Sequence, residues 1–209
     1  MSTTAILGID LAASPRRPTG ICLLTGGKAV ARVLYSDDDI LAAAVPGIRL
    51  IVVDAPLSLP EGRCCLKSEC ACAASGKHFR RCDLEVRNLG IRILPLTIGP
   101  MRRLTERGMM LKQEFSRSGF EVIETFPHAA QTIWRIKRTQ VQKGIRSFLK
   151  GAGIALEGVE SLSLDELDAV TCALVGVYYL GERFLETGTP DEGRIILPVP
   201  GTLKLGSGE

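Results

Sequence analysis

The sequence predicts a single α/β domain with a mixed sheet of five strands and helices on both faces, and three observations carry that prediction. Short apolar, β-branched runs alternate with longer stretches of helical period, as in layered α/β domains. The first runs are joined by a Gly-Gly turn, so the sheet opens with antiparallel strands. Three of the runs stop at an acidic residue, at the strand ends where open α/β sheets gather ligand-binding groups.

Taken in order, AILGIDLA is a strand ending at Asp10, and RRPTGICLLTGGKAVARVLY reads as two strands folded at Gly26-Gly27. SDDD supplies an aspartate cap for a short helix entered at Ile40. LIVVDAPLSLP is a buried parallel strand, with Asp54 at its end and Pro56 stopping it. A Cys-rich stretch from Glu61 to His78 reads as an insertion, set at about residues 61–82, before the helical segment RRCDLEVRNLG with its C-cap at Gly90. PMRRLTERGMMLKQEFSRSG is a helix between Pro100 and Gly119, leading to FEVIETFP, a strand that reaches Glu124. Ser163 and Glu166 form a capping box before a helix apolar on most faces. The tail adds one edge segment between Gly193 and Pro198, and no repeat or linker divides the 209 residues.

The start of the chain lacks the basic region of a signal peptide, and no apolar run approaches the ~18 residues of a membrane span. A soluble, cytoplasmic protein without a membrane partner is expected. A net charge of +3 does not establish a nucleic-acid partner, since phosphate binding depends on clustered cations. RIKRTQVQKGIRSFLK does cluster them: Arg135, Lys137, Arg138, Lys143, Arg146 and Lys150 stand without an acid among them. A solvated helix face explains such a run equally well.

The candidate catalytic residues are Asp10, Asp54, Glu124, Asp165 and Asp168, with Asp10, Asp54 and Asp168 as metal ligands. Asp165 and Asp168 lie one helical turn apart, on one face. Acids gathered beside apolar strands repel one another, and a hard cation such as Mg²⁺ or Mn²⁺ removes that repulsion. Blander roles compete. Asp54 fits a backbone-bonded turn, Asp165 complements a helix N-terminus, and Glu166 is accounted for by the capping box. Asp168, inside an apolar helix without a basic neighbour at i±4, is the hardest to explain structurally.

GIDLA with a following TG, VVDAPLSLP, RRCDLEVRNLGI, MRRLTERG, VIETFPHAA, LDAVTCAL and EGRIILP together resemble the family catalogued as domain of unknown function 429, described as predicted RNase H-like nucleases. The resemblance implies an RNase H-like three-layer fold, with Asp10 on the first strand, Asp54 on the fourth, Glu124 after the fifth and Asp168 on the last helix. The Asp165-x-x-Asp168 spacing also resembles the paired helix acids of RuvC-type junction resolvases.

Five of the seven cysteines fall between Cys64 and Cys82, with His78 among them. In a reducing compartment they are not a disulfide framework. Their number suits a zinc site, expected on Cys64, Cys70 and Cys72, with Cys82 the further candidate unless it belongs to the core. The spacing matches no standard C-x2-C or ferredoxin pattern, and an iron–sulfur cluster or free thiols are the alternatives. Cys22 and Cys172 lie in apolar runs and read as packing residues.

The functional expectation is a metal-dependent nuclease that cleaves phosphodiester bonds at the carboxylates and meets its substrate through Arg80, Arg81, Arg135, Lys137, Arg138, Lys143 and Arg146. A non-catalytic nucleic-acid-binding module of the same fold is the second reading. An ATP-dependent phosphotransferase is the third, weakened because Asp10-Leu11-Ala12-Ala13-Ser14 lacks a glycine for close phosphate approach.

Overall fold

In a computed structural model, residues 4–157 and 161–201 are described. The elements run β1 (Ala5–Asp10), β2 (Thr19–Thr25), β3 (Lys28–Leu34), α1 (Asp37–Ala42), β4 (Ile48–Asp54), α2 (Arg81–Asn88), α3 (Gly99–Arg117), β5 (Glu121–Glu124), α4 (Pro127–Ile133), α5 (Val141–Gly151), β6 (Ala155–Glu157), α6 (Leu164–Leu180), β7 (Phe184–Thr189) and β8 (Gly193–Pro198). The main sheet has the order β5-β4-β1-β2-β3-β6. β2 alone runs against both of its neighbours, while β1, β4 and β5 are parallel. The order 3-2-1-4-5 with that single reversal is the RNase H-like arrangement.

Two findings extend the expected five strands. β6 adds a sixth, parallel to β3, because Lys28 at the hairpin's edge pairs with Glu157 and offers an open ladder. The segment from Gly193 is not an edge strand of this sheet. It pairs antiparallel with β7 in a separate ribbon that touches the main sheet through a bridge between Thr125 and Ile196. The short helix after β3 is capped by Ser36, whose hydroxyl accepts from Asp39 N, rather than by an aspartate. The Ser163–Glu166 capping box forms as the sequence predicts.

The two-residue period of the strands divides the core. Ile6, Leu50 and Val52 pack on the face covered by α5 and α6, whereas Leu7, Ile9, Ile51 and Val53 pack on the face of α3. α6 lies unusually close to the sheet. A Cβ on Gly8 would stand 2.2 Å from the carbonyl oxygen of Ala169, and one on Gly20 would stand 2.0 Å from that of Asp165. Only glycine fits at these crossings, and their consequence is that the start of α6 comes down beside the end of β1. Among the described residues, no helix is long and apolar enough to cross a membrane.

Candidate carboxylate site and cysteine knuckle

Alternation along a strand decides which acids meet. Asp10 follows Ile6 and Gly8 on the α6 face of β1, and Asp54 follows Leu50 and Val52 on the same face of β4. The two are directly paired in register at the ends of adjacent parallel strands. α6 brings Asp168 and Asp165 to them from above. Asp168 is 7% exposed, and its Oδ1 accepts from Gln131 Nε2 at 2.7 Å and from Arg138 Nη1 at 2.6 Å. Gln131 is itself held, donating to Thr171 Oγ1 at 3.0 Å and accepting from Arg138 at 3.3 Å.

The crowding shows in the acidities. Burial, then the charges of Asp168 and Asp165, push Asp10 up to about 8, against the pull of Arg138 and a hydrogen bond from Asp54. Burial, then Asp10 and Asp168, hold Asp54 well above the ordinary carboxylate range. A hydrogen bond links the two carboxyls, so protons bound here belong to the pair and not to either residue alone. Asp165 is raised by burial first and by Asp168 next. Arg138 is the cation that answers these acids, and Asp168 is its partner.

Glu124, the remaining expected catalytic acid, meets the group from the other side of the sheet, although its charge still helps to raise Asp54. It pairs with Val53, not Asp54, and so faces the opposite side of the sheet. There both its oxygens are taken by Arg80, through Nη1 to Oε2 at 2.7 Å and Nη2 to Oε1 at 2.6 Å, and Leu57 N donates to Oε2 at 2.8 Å. Burial outweighs Arg80 and leaves Glu124 above its usual value. Arg80 is correspondingly not a surface contact for nucleic acid. It is 0% exposed and also grips both oxygens of Asp83 and the hydroxyl of Ser58. Of the other expected contacts, Arg81 is exposed and pairs with Glu85, and Arg135, Lys137, Arg138 and Lys143 lie on the surface around α5, with Arg146 half-buried.

The cysteine cluster forms, with one change of membership. The thiols of Cys64, Cys65, Cys70 and Cys72 all lie within 4.8 Å of one another, the one such gathering of metal-ligating groups among the described residues. Cys82, expected among these thiols, is instead buried on α2 among Val86, Ile91 and Leu197 and lies outside the cluster. His78 bonds Thr97. The knuckle is framed by Arg63, whose guanidinium donates to the carbonyls of Cys65, Lys67 and Lys77. Cys22 and Cys172 are buried, as packing residues should be.

Sequence reasoning missed Gln131 and Cys65. The first directly follows the VIETFPHAA motif, and the second adjoins Cys64, so each carried a local signal.

Residues 8–97 match the family described as "Protein of unknown function (DUF429)". Among solved structures, Thermus thermophilus RuvC in complex with a Holliday junction substrate is similar at 12% identity and a TM-score of 0.47, covering 86% of this chain and 96% of that one. A second structure of Thermus thermophilus RuvC gives 12% identity and a TM-score of 0.46 with the same coverage. No curated protein matches the sequence significantly.

Proposed function

We propose that this chain, which matches the DUF429 family over residues 8–97, is a divalent-metal-dependent nuclease whose site is Asp10, Asp54 and Asp168, with Asp165 beside them. The observation that supports it most is the pairing of Asp10 with Asp54 in register, under a helix that adds two further acids. The donor set is all carboxylate oxygen, as Mg²⁺ and Mn²⁺ require, and its mutual repulsion is what a cation would relieve. Bound there, such ions supply activation of water and stabilisation of the leaving oxygen in phosphodiester cleavage. The protein's own part is orientation. Gln131 fixes the Asp168 carboxylate, and Arg138 supplies a positive charge at the rim beside the basic face of α5.

One observation favours the second reading, a nucleic-acid-binding module without hydrolysis. Arg138 already neutralises Asp168, and the three acids do not converge as closely as the four thiols do. Turnover separates the two. Wild type should cleave labelled single-stranded or branched DNA or RNA in Mn²⁺, and Asp54→Asn should be slower by a factor of about 100 or more, the scale of several kcal/mol of metal stabilisation. Binding without cleavage in any of these substrates would favour the module.

The knuckle is proposed to hold a structural zinc ion on Cys64, Cys65, Cys70 and Cys72. The Sγ separations of 3.5 Å for Cys64–Cys70 and 3.8 Å for Cys65–Cys72 suit the edges of a tetrahedron, about 3.8 Å for Zn–S bonds of about 2.3 Å. Protein purified without chelator should carry about one zinc per chain. Cys65→Ser should lose it while Cys82→Ser keeps it. Zinc retained by Cys65→Ser, or lost in Cys82→Ser, would reverse the ligand assignment.

A further inference from the structure

The motif MRRLTERG and the loop between β1 and β2 enter neither metal site, yet they meet at a cavity of about 520 Å³ that opens onto Asp10 and Asp165. Its lining also carries Arg17 and Arg103, both exposed, and neither guanidinium has a hydrogen-bond or ion-pair partner among the described residues. Contrast Arg80, Arg81, Arg107, Arg117, Arg138 and Arg194, each of which is paired with a carboxylate. The remaining lining is small or aliphatic, including Ala12, Ala13, Ser14 and Pro100, with no aromatic ring on which a base could stack.

The wall is built rather than loose. Arg107, buried on the same helix as Arg103, donates to the Ala12 carbonyl at 2.6 Å and to the Tyr35 carbonyl at 3.0 Å, and it pairs with Asp37 at 2.7 Å. Ala12 N donates to the hydroxyl of buried Thr19 at 3.1 Å. These bonds fix the loop that carries Arg17 against α3.

We propose that Arg17 and Arg103 form a phosphate clamp, holding the backbone of a single nucleic-acid strand as it passes along this cavity beside the carboxylates. The proposal rests on the nuclease reading and adds to it the path of the strand. Guanidinium forks suit phosphate oxygens, and a wall without aromatic rings grips backbone and not bases, so recognition here is independent of sequence. The two charges line the same cavity as the acids and attract a polyanion that Asp10 and Asp165 alone would repel.

The test is binding of a fluorescent single-stranded oligonucleotide to the full chain in Ca²⁺, over a series of salt concentrations. Arg17→Ala with Arg103→Ala should weaken binding at least tenfold at low salt. It should also reduce the slope of log affinity against log salt by about 1.4, the value for two lost single-strand phosphate contacts. The change should be the same for unrelated sequences. A double variant of equal charge at exposed positions outside the cavity, Arg49→Ala with Arg92→Ala, should stay near wild type. If wild type binds and the Arg17/Arg103 variant binds as tightly with the same slope, the clamp is wrong while the nuclease reading stands. Wild type that binds no strand at all, with or without Ca²⁺, removes both.

Discussion

Arg80→Met is expected to destabilise the protein by about 3–5 kcal/mol, the scale for removing one partner from a buried ionic network. Arg80 contributes no surface charge. Its guanidinium sits between Glu124, which is 6% exposed, and Asp83, which is 2% exposed, and satisfies all four of their oxygens. Methionine fills much of the volume but leaves two carboxylates without a counter-charge in an apolar setting. Denaturant melts at neutral pH measure the loss. Protonation of the stranded acids should return part of the stability as pH falls, and adding Glu124→Gln to the variant should return part of it at neutral pH. A loss under about 1 kcal/mol would mean that water reaches the network.

Asp10→Asn should act in the opposite direction on the metal-free protein, raising its stability near pH 8 by about 2 kcal/mol or more. Each unit of pKa displacement is worth about 1.4 kcal/mol, and Asp10 is displaced from 3.8 to about 8. For an acid raised on folding, the native state binds the extra proton between those values. Its stabilising effect is full below the unfolded pKa and is lost as pH rises through the folded one. Metal-free wild type should therefore lose stability from about pH 4 to about pH 8, and Asp10→Asn should flatten that slope. Thermal melts in EDTA across the range read both. An unchanged slope would place the proton on another group.

Much of this was legible because hydrophobic runs ending in an acid specify both a strand and the fate of its last side chain. Asp10 and Asp54 were found in this way, and the capping box located the start of α6 with its two acids. Glu124 looked equivalent, but parity separates it. Its strand is offset by one residue, so it aligns with Val53 and points to the other face. Strand register depends on the neighbouring strand, which a single segment does not reveal. Arg80 misled for a related reason: beside Asp83 three residues on, its partners lie 44 residues away at Glu124 and 22 away at Ser58, and without those an arginine in sequence looks solvent-facing. Local composition located the cysteine knuckle, whereas its fourth thiol depended on the loop's path, which brings Cys65 in and takes Cys82 into the core on α2. β8 was located between Gly193 and Pro198, but β7 and its pairing with β8 escaped, because a two-stranded ribbon needs only short, weakly patterned strands.

The central claim, that Asp10, Asp54 and Asp168 together hold a divalent cation, is tested most directly by Mn²⁺ binding to zinc-loaded protein, followed by calorimetry or electron paramagnetic resonance. Wild type should bind Mn²⁺ and release protons from the Asp10–Asp54 pair as it does so, and Asp54→Asn should bind at least tenfold more weakly with less proton release. Equal Mn²⁺ affinity in wild type and Asp54→Asn would contradict the account.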